Sequence, residues 1–282
     1  MWKERRLMDD RILVALLTDV FLENSDHLRL REYLLEAKNL GATLAVLPEL
    51  PLNPWSPATR ESIEEDAEPS GGPRQQILSR VATEAGIALL GGAIVTDSKT
   101  GKRYNTALFY DRNGQLIGQY RKIHLPEEKG YWETSHYIPG TDPPTVIPMS
   151  EVTIGIQICS DIQRPQGAQI LRAQGAELLL VPRATSSETY KRWKLILRAN
   201  AIMSEAYLIS VNRPFSEFGV DIGGPSLAIA PDGEILFEGT DPLAIVEVDG
   251  NKLKAIGSQY PGYLPRFAGL YSQGWSKLTG SE

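Results

Sequence analysis

The 282-residue chain has one cysteine and three histidines. A lone cysteine excludes an internal disulfide and, with it, a small stapled secreted fold. With so few histidines beside it, a zinc cluster is excluded as well. No phosphate loop is present: Gly101-Lys102 has Thr96 where the upstream glycine belongs and Arg103 where a hydroxyl residue belongs. Basic charge is in deficit, with 29 Lys and Arg against 35 Asp and Glu and a net charge of −6. Nucleic acid is therefore not expected as a partner, since phosphate binding needs a basic footprint. Long apolar runs are missing too. The first one, Ile12 to Leu17, follows basic residues but soon meets Asp19, too short a run for a signal peptide or a membrane span. Residues 1–10 read as a polar leader, Arg11 to Thr18 as the first buried strand, and a cytoplasmic location is expected.

What is present is ordinary globular composition, 42% hydrophobic and 23% charged, in a chain long enough to bury a substantial core. Apolar runs alternate with helical periodicity. "RILVALLT" and "ATLAVLPE" read as strands. Between them "SDHLRLREYLLEAKNLG" reads as a helix with Ser25 or Asp26 as N-cap, Gly41 at C′, and Leu28, Leu35 and Ala37 inward. A helix over "GGPRQQILSRVATEAG" and a strand over "IALLGGAIV" follow. Asn113-Gly114 and Asp232-Gly233 mark two hairpins. The second half repeats the style, with strands at "VTIGIQI", "ELLLVPRA", "YLISVNRP" and "LAIVEVD". Its helices are "RPQGAQILRAQGA" and "SETYKRWKLILRANAIMSEA". The long helix reads as a core face of Leu195, Ala199, Ile202 and Ala206 beside a basic stripe of Lys191, Lys194 and Arg198. The pattern implies an α/β layered fold with mixed sheets in a single domain over residues 11–282, with a tail from about 250. Tyr131 to Pro148 reads as a long aromatic, Pro- and Gly-rich loop, of a kind that is often functional.

Three strand ends carry chemistry. "LAVLPELPLNPW" supplies Glu49, "GQYRKIHLP" supplies Lys122 and "IGIQICSD" supplies Cys159. Ligands of layered α/β folds gather beyond strand ends, so a carboxylate, an ammonium and a thiol there form a coherent set. A free thiol is only a few per cent thiolate at neutral pH. A free glutamate is a poor base for it, by about 4 pKa units or roughly 6 kcal/mol. Burial must raise the glutamate, and an ammonium must favour the thiolate. The same ammonium can face the oxyanion of a tetrahedral intermediate.

These motifs resemble those of the nitrilase, or carbon–nitrogen hydrolase, superfamily. "GATLAVLPELPL" resembles its glutamate block, "YRKIHLP" its lysine block and "GIQICSD" its cysteine block. "RANAIMSEAYLISVNRP" and "GGPSLAIAPDGEIL" resemble its downstream blocks, and the resemblance covers about residues 11 to 250. It implies an αββα sandwich, a homodimer or higher homo-oligomer joined through helical faces, and a helix 190–206 lying partly in that interface. It also implies a second glutamate, Glu133 in "ETSHYIPG", orienting Lys122 and assisting proton transfer. Cys159 would attack an amide or carbamoyl carbonyl, Lys122 and the Ser160 N–H would hold the oxyanion, and water would release the acid from a thioester. No metal or organic cofactor is implied, and the partner is a small molecule, neither nucleic acid nor membrane. Two positions depart from the family pattern: Ser160 stands where an aromatic residue is common, and Pro165-Gln166 where Pro-Glu is usual.

Specificity candidates follow from position. Arg183, in "LLVPRATS", ends another apolar strand and is read either as the partner of a substrate carboxylate or as half of a structural ion pair. Trp55, Tyr131 and Trp132 are candidates for pocket walls or loop packing, with Asn53 and Tyr137 as weaker ones. His124, beside Lys122, lines the site or buttresses the lysine loop. The triad fixes the bond type and leaves the acyl group open, so amide, carbamoyl and nitrile substrates all remain. A Cys–His site using His124 or His136 and a non-catalytic interaction protein are the competing readings.

Overall fold

The computed structural model describes residues 11–23, 25–260 and 262–278. The leader expected at residues 1–10 lies outside them. Two mixed β-sheets stack face to face. The first holds β1 (Arg11–Leu17), β2 (Leu44–Val46), β3 (Ala67–Pro69), β4 (Ala88–Thr96), β5 (Arg103–Tyr110), β6 (Leu116–Arg121) and the late strand β15 (Leu243–Asp249). Its order is β15-β1-β2-β4-β5-β6, with β3 on β4. A small hairpin follows, β7 (Glu127–Glu128) and β8 (Tyr131–Trp132). The second sheet holds β9 (Ile147–Pro148), β10 (Thr153–Ile156), β11 (Leu178–Leu180), β12 (Tyr207–Ser210), β13 (Ser226–Ile229) and β14 (Ile235–Gly239). They lie side by side in reverse chain order.

Strand β1 shows why two layers are needed. Successive side chains point to opposite faces of a strand. Val14 and Leu16 enter the core between the sheets together with Ile154, Leu180 and Ile209 of the second sheet. Ala15 and Leu17 face the other way, into a core shared with Leu30, Leu34 and Leu78. Those last residues belong to α1 (Asp26–Asn39) and α2 (Pro73–Ala85), which cover the first sheet. The second sheet is covered by α3 (Pro165–Ala173) and α4 (Tyr190–Ser204), whose Leu171, Trp193 and Leu197 join the inter-sheet core cluster. The result is an αββα sandwich. Helices α5 (Gly250–Gly257) and α6 (Ala268–Ser276) follow β15. No helix among the described residues is long and apolar enough to cross a membrane.

Helix ends follow the sequence signals. Gly41, at φ +92°, stands just beyond α1, and Gly86 caps α2 in the left-handed conformation that glycine adopts without strain. Helix faces do not follow. The inward stripe of α1 is Leu30, Leu34 and Ala37, while Leu28 is 56% exposed. In α4 the buried face is Trp193, Leu197, Ala201 and Ser204; Leu195 is 68% exposed and Ile202 lies outside too. Both helices carry apolar residues around much of their circumference, so the docking sheet, not the pattern, selects the face. The segment expected as a long loop between Tyr131 and Pro148 contains β8, a 3-10 turn over Glu133–Ser135 and β9.

Candidate active site

Parallel strands β2, β10, β11 and β12 end at Val46, Ile156, Leu180 and Ser210. The third residue beyond each end is Glu49, Cys159, Arg183 and Arg213, in that order. Lys122 directly follows β6. The sandwich thus brings residues from both sheets to one edge, all of them buried.

Lys122 Nζ lies between two carboxylates. It donates to Glu49 Oε1 at 2.7 Å and to Glu133 Oε1 and Oε2 at 2.6 and 2.8 Å. Glu49 Oε1 also accepts from Asn105 Nδ2 at 2.7 Å, whereas Glu49 Oε2 is buried with no hydrogen-bond partner among the described residues. The electrostatics follow from two carboxylates sharing one ammonium. Burial pushes the Glu133 carboxyl up, Lys122 opposes this, Glu49 adds to it, and the pKa reaches about 8. Burial alone would lower the Lys122 pKa, but Glu133, Glu49 and Cys159 raise it well above its ordinary value. The Cys159 thiol is raised well above its ordinary value by burial and then by Glu49, with Lys122 acting in the opposite direction. At rest the site therefore holds a neutral thiol beside a charged ammonium.

Cys159 is held in an uncommon backbone conformation, φ +47°, at the head of a 3-10 turn over Cys159–Gln163. Leu50, directly after Glu49, is at φ +49°. A non-glycine residue at positive φ is strained and persists only where its surroundings over-determine it. For Cys159 those surroundings are explicit. Its N–H donates to Pro182 O at 2.9 Å, and its thiol lies 3.8 Å from Ala184 O. Asp161, fully buried, accepts from Ile158 N, Ile123 N, His124 N and Tyr120 Oη at 3.2, 3.2, 2.8 and 2.9 Å. One carboxylate therefore ties the cysteine loop to the lysine loop.

The remaining candidates sort themselves by contact. His124 places Nδ1 2.8 Å from Asp161 Oδ1 and buttresses the lysine loop. His136 Nε2 sits 2.8 Å from Thr59 O. The Ser160 hydroxyl donates to His124 O. Gln166 is exposed in the first turn of α3. Trp55 and Tyr131 pack edge to face, 5.8 Å between centroids, and Tyr131 Oη donates to Asp221 O at 2.9 Å. Trp132 is not brought to this cluster; the Arg60 guanidinium stacks over it at 3.9 Å. Asn53 Oδ1 and Tyr137 Oη are buried without hydrogen-bond partners among the described residues. Arg183 is fully buried and bonded to neutral groups, Ser210 Oγ at 2.9 Å, Thr185 Oγ1 and Pro225 O. Neither the structural ion pair expected for it nor an open carboxylate subsite is found among the described residues.

Asn105, Asp161, Arg213 and Glu217 were not singled out in the sequence. Arg213 donates to Glu49 O, Leu50 O and Asn53 O at 2.9, 2.7 and 3.0 Å and pairs with Glu217 at 2.5 Å. It thereby shapes the turn that carries Glu49. The available signals were Asp161 two residues after the cysteine and Arg213 three residues beyond an apolar strand.

Comparison with known proteins finds relatives that span most of the chain. The carbon-nitrogen hydrolase family matches residues 21–256. Omega-amidase NIT2 of Homo sapiens is 30% identical over 249 residues, covering 85% of this chain and 88% of that protein. Among solved structures, a carbon-nitrogen hydrolase from Helicobacter pylori G27 superposes with a TM-score of 0.81 at 22% identity, covering 94% of this chain and 98% of that one. Nit3 of Saccharomyces cerevisiae, a member of branch 10 of the nitrilase superfamily, gives 0.78 at 25% identity, covering 92% and 96%.

Proposed function

The chain belongs to the carbon–nitrogen hydrolase family, in the amidase-like part of the nitrilase superfamily, and from that premise we propose that it hydrolyses an amide or N-carbamoyl bond of a small molecule through a thioester on Cys159. The observation that carries the reading is the division of labour at Glu49. Its Oε1 is held by Lys122 and Asn105, and its Oε2 is free to receive a proton.

In this reading Glu49 Oε2 takes the thiol proton as sulfur attacks the carbonyl carbon. The carbonyl π electrons move to oxygen, where Lys122 Nζ and the Ser160 N–H meet the charge. Collapse breaks the C–N bond, and Glu49 returns the proton to the departing ammonia or amine. Glu49 then deprotonates water, which attacks the thioester; the acid leaves and the thiol recovers its proton. Glu133 holds Lys122 on its far side. Trp55 and Tyr131 wall the acyl side. The human relative's name, omega-amidase, favours amides over nitriles for this chain. The exposed Ile170, Leu195, Ile202 and Met203 on α3 and α4 support self-association through that helical layer, which sedimentation velocity tests.

The deciding experiment is ammonia release from a panel of amides, N-carbamoyl amines, N-carbamoyl amino acids and nitriles, with acyl-enzyme trapping by mass spectrometry. An added acyl mass on Cys159 with an amide or carbamoyl substrate is expected. Turnover of such a substrate by Cys159→Ala at the wild-type rate would remove the reading.

A further inference from the structure

The wall beside the sulfur is built from segments far apart in the chain. Ala184, whose carbonyl lies 3.8 Å from the Cys159 thiol, packs with Trp55, Tyr131, Val220 and Ile222 in one apolar cluster. Thr185 O accepts from Gly223 N at 3.0 Å, so the chain leaving Ala184 runs beside residues 220–223. Asp221 stands between the cluster members Val220 and Ile222 and is itself exposed. Its carbonyl accepts from Tyr131 Oη at 2.9 Å. Its carboxylate accepts from Ser186 Oγ and, at 3.2 Å, from Ser187 Oγ. Those serines are the second and third residues after Ala184.

The position is fixed from below as well. Asp221 directly follows a tight turn closed by Val220 N on Glu217 O at 2.8 Å and Glu217 N on Val220 O at 3.2 Å. Phe218 and Gly219 at its tip have φ of +50° and +76°. Glu217 anchors the turn on the Trp55 N–H at 3.0 Å and on Arg213. Gly130 lets the β7–β8 hairpin close on it, since a Cβ there would stand 2.8 Å from Val220 Cγ1. The carboxylate is therefore held, before substrate arrives, at the outer end of the wall formed by Trp55 and Tyr131.

Charge decides what such a wall accepts. The serine hydroxyls, Ser186 foremost, hold the Asp221 carboxyl below its ordinary range, so it is anionic at neutral pH. Serine carries no charge, and no ion pair of Asp221 is found among the described residues. The cations further in are committed. Lys122 donates to Glu49 and Glu133, Arg213 pairs with Glu217, and the fully buried Arg183 spends its guanidinium on Ser210, Thr185 and Pro225. On the hairpin turn ahead of Tyr131, Glu128 and Lys129 are both exposed and of opposite sign. A substrate carboxylate directed along this wall meets repulsion, and a substrate ammonium meets an open counter-charge.

We infer that Asp221 is a specificity residue of this site. It selects amides or N-carbamoyl compounds that carry an ammonium at the end remote from the reacting carbonyl, and it disfavours those that end in a carboxylate. The inference rests on the proposed hydrolysis at Cys159 and names a substrate class for it.

The test is kcat/KM, read by ammonia release, for hexanamide, its ω-amino analogue and its ω-carboxylate analogue, with pentanamide and heptanamide sets to cover the reach. The wild type should favour the ω-amino compound over the ω-carboxylate by about tenfold at low salt, attraction and repulsion each contributing the few-fold effect of an exposed pair. Raising the ionic strength should shrink that ratio and leave hexanamide unaffected. Asp221→Asn keeps the side chain's shape and removes its charge. The ratio should then fall to about one, with hexanamide changed by less than about twofold, and Asp221→Lys should invert it. Thermal midpoints are measured in parallel; if neither variant folds, the wild-type ratio and its salt dependence carry the result. A wild type that prefers the ω-carboxylate compound or shows no preference overturns the inference and leaves hydrolysis at Cys159 standing. So does an Asp221→Asn protein that keeps the wild-type ratio. A wild type that releases ammonia from none of these amides, nor from their N-carbamoyl counterparts, takes down the reading beneath the inference as well.

Discussion

The two sides of the cleft follow opposite electrostatic plans. On the first-sheet side, the buried cation has acidic partners: Lys122 donates to Glu49 and Glu133, with all three side chains buried. The turn carrying Glu49 is held by a second buried pair, Arg213 and Glu217. On the second-sheet side, the thiol is neutral and the buried Arg183 has only neutral partners among the described residues. The difference teaches where the chemistry is prepaid. The base and the oxyanion cation are oriented before substrate arrives, whereas negative charge on sulfur exists only during reaction.

The strongest way to break this comparison is to empty the second-sheet side. Cys159→Ala should abolish turnover and leave the fold intact, because only a small buried atom is lost; ammonia release and circular dichroism measure both. The turn that carries Glu49 should break by stability instead. Glu217→Ala leaves Arg213 buried and unpaired, and should cost about 3–5 kcal/mol in a urea unfolding experiment. Truncating a paired charge there should be far worse than altering an exposed pair such as Lys252 with Glu234. Next come the reacting charges. Glu49→Gln and Lys122→Ala should each lower the single-turnover acylation rate by at least about a hundredfold, the scale of one lost base or oxyanion donor. Near-normal acylation by a folded Glu49→Gln protein would transfer the base role to another group.

A further test sharpens the comparison through pH. Folding raises the Glu133 carboxyl from an ordinary 4.5 to about 8, with burial the leading cause. Between those values the folded chain keeps a proton that the unfolded chain has released. Its contribution to stability is therefore full below the lower value and is lost as pH rises through the upper one. Unfolding free energy should decline across that window, and Glu133→Gln should flatten the decline. Because Lys122 and Cys159 both interact with Glu133, the activity profile should report apparent values of the set.

Much of the fold was legible because its signals are local. Alternating apolar runs gave strands and helices, Asn113-Gly114 and Asp232-Gly233 gave hairpins, and Gly41 and Gly86 gave helix ends. What was misread is what depends on a neighbour. Leu28 and Leu195 were assigned inward, yet they face out because a different stripe of each helix meets its sheet. The pairing of β1 with β15, the first and last strands, has no local signature at all. Trp132 sits in the right loop but is turned toward Arg60 by a contact remote in sequence.

By itself, the sequence determined the chemical inventory: one thiol, a glutamate and a lysine, each just past a β-strand. Strand ends are encoded within a few residues, so the reactive groups could be found without knowing what lies opposite them. Only the tertiary structure decided how those groups are charged. It shared one ammonium between two acidic side chains, gave Arg213 a carboxylate partner and, among the described residues, left one oxygen of Glu49 without a hydrogen bond and Arg183 without a counter-charge. Coulomb energy depends on distance and on how much water surrounds the pair. Both are set by segments far apart in the chain, and two arginines that look alike at their strand ends become different in kind once folded.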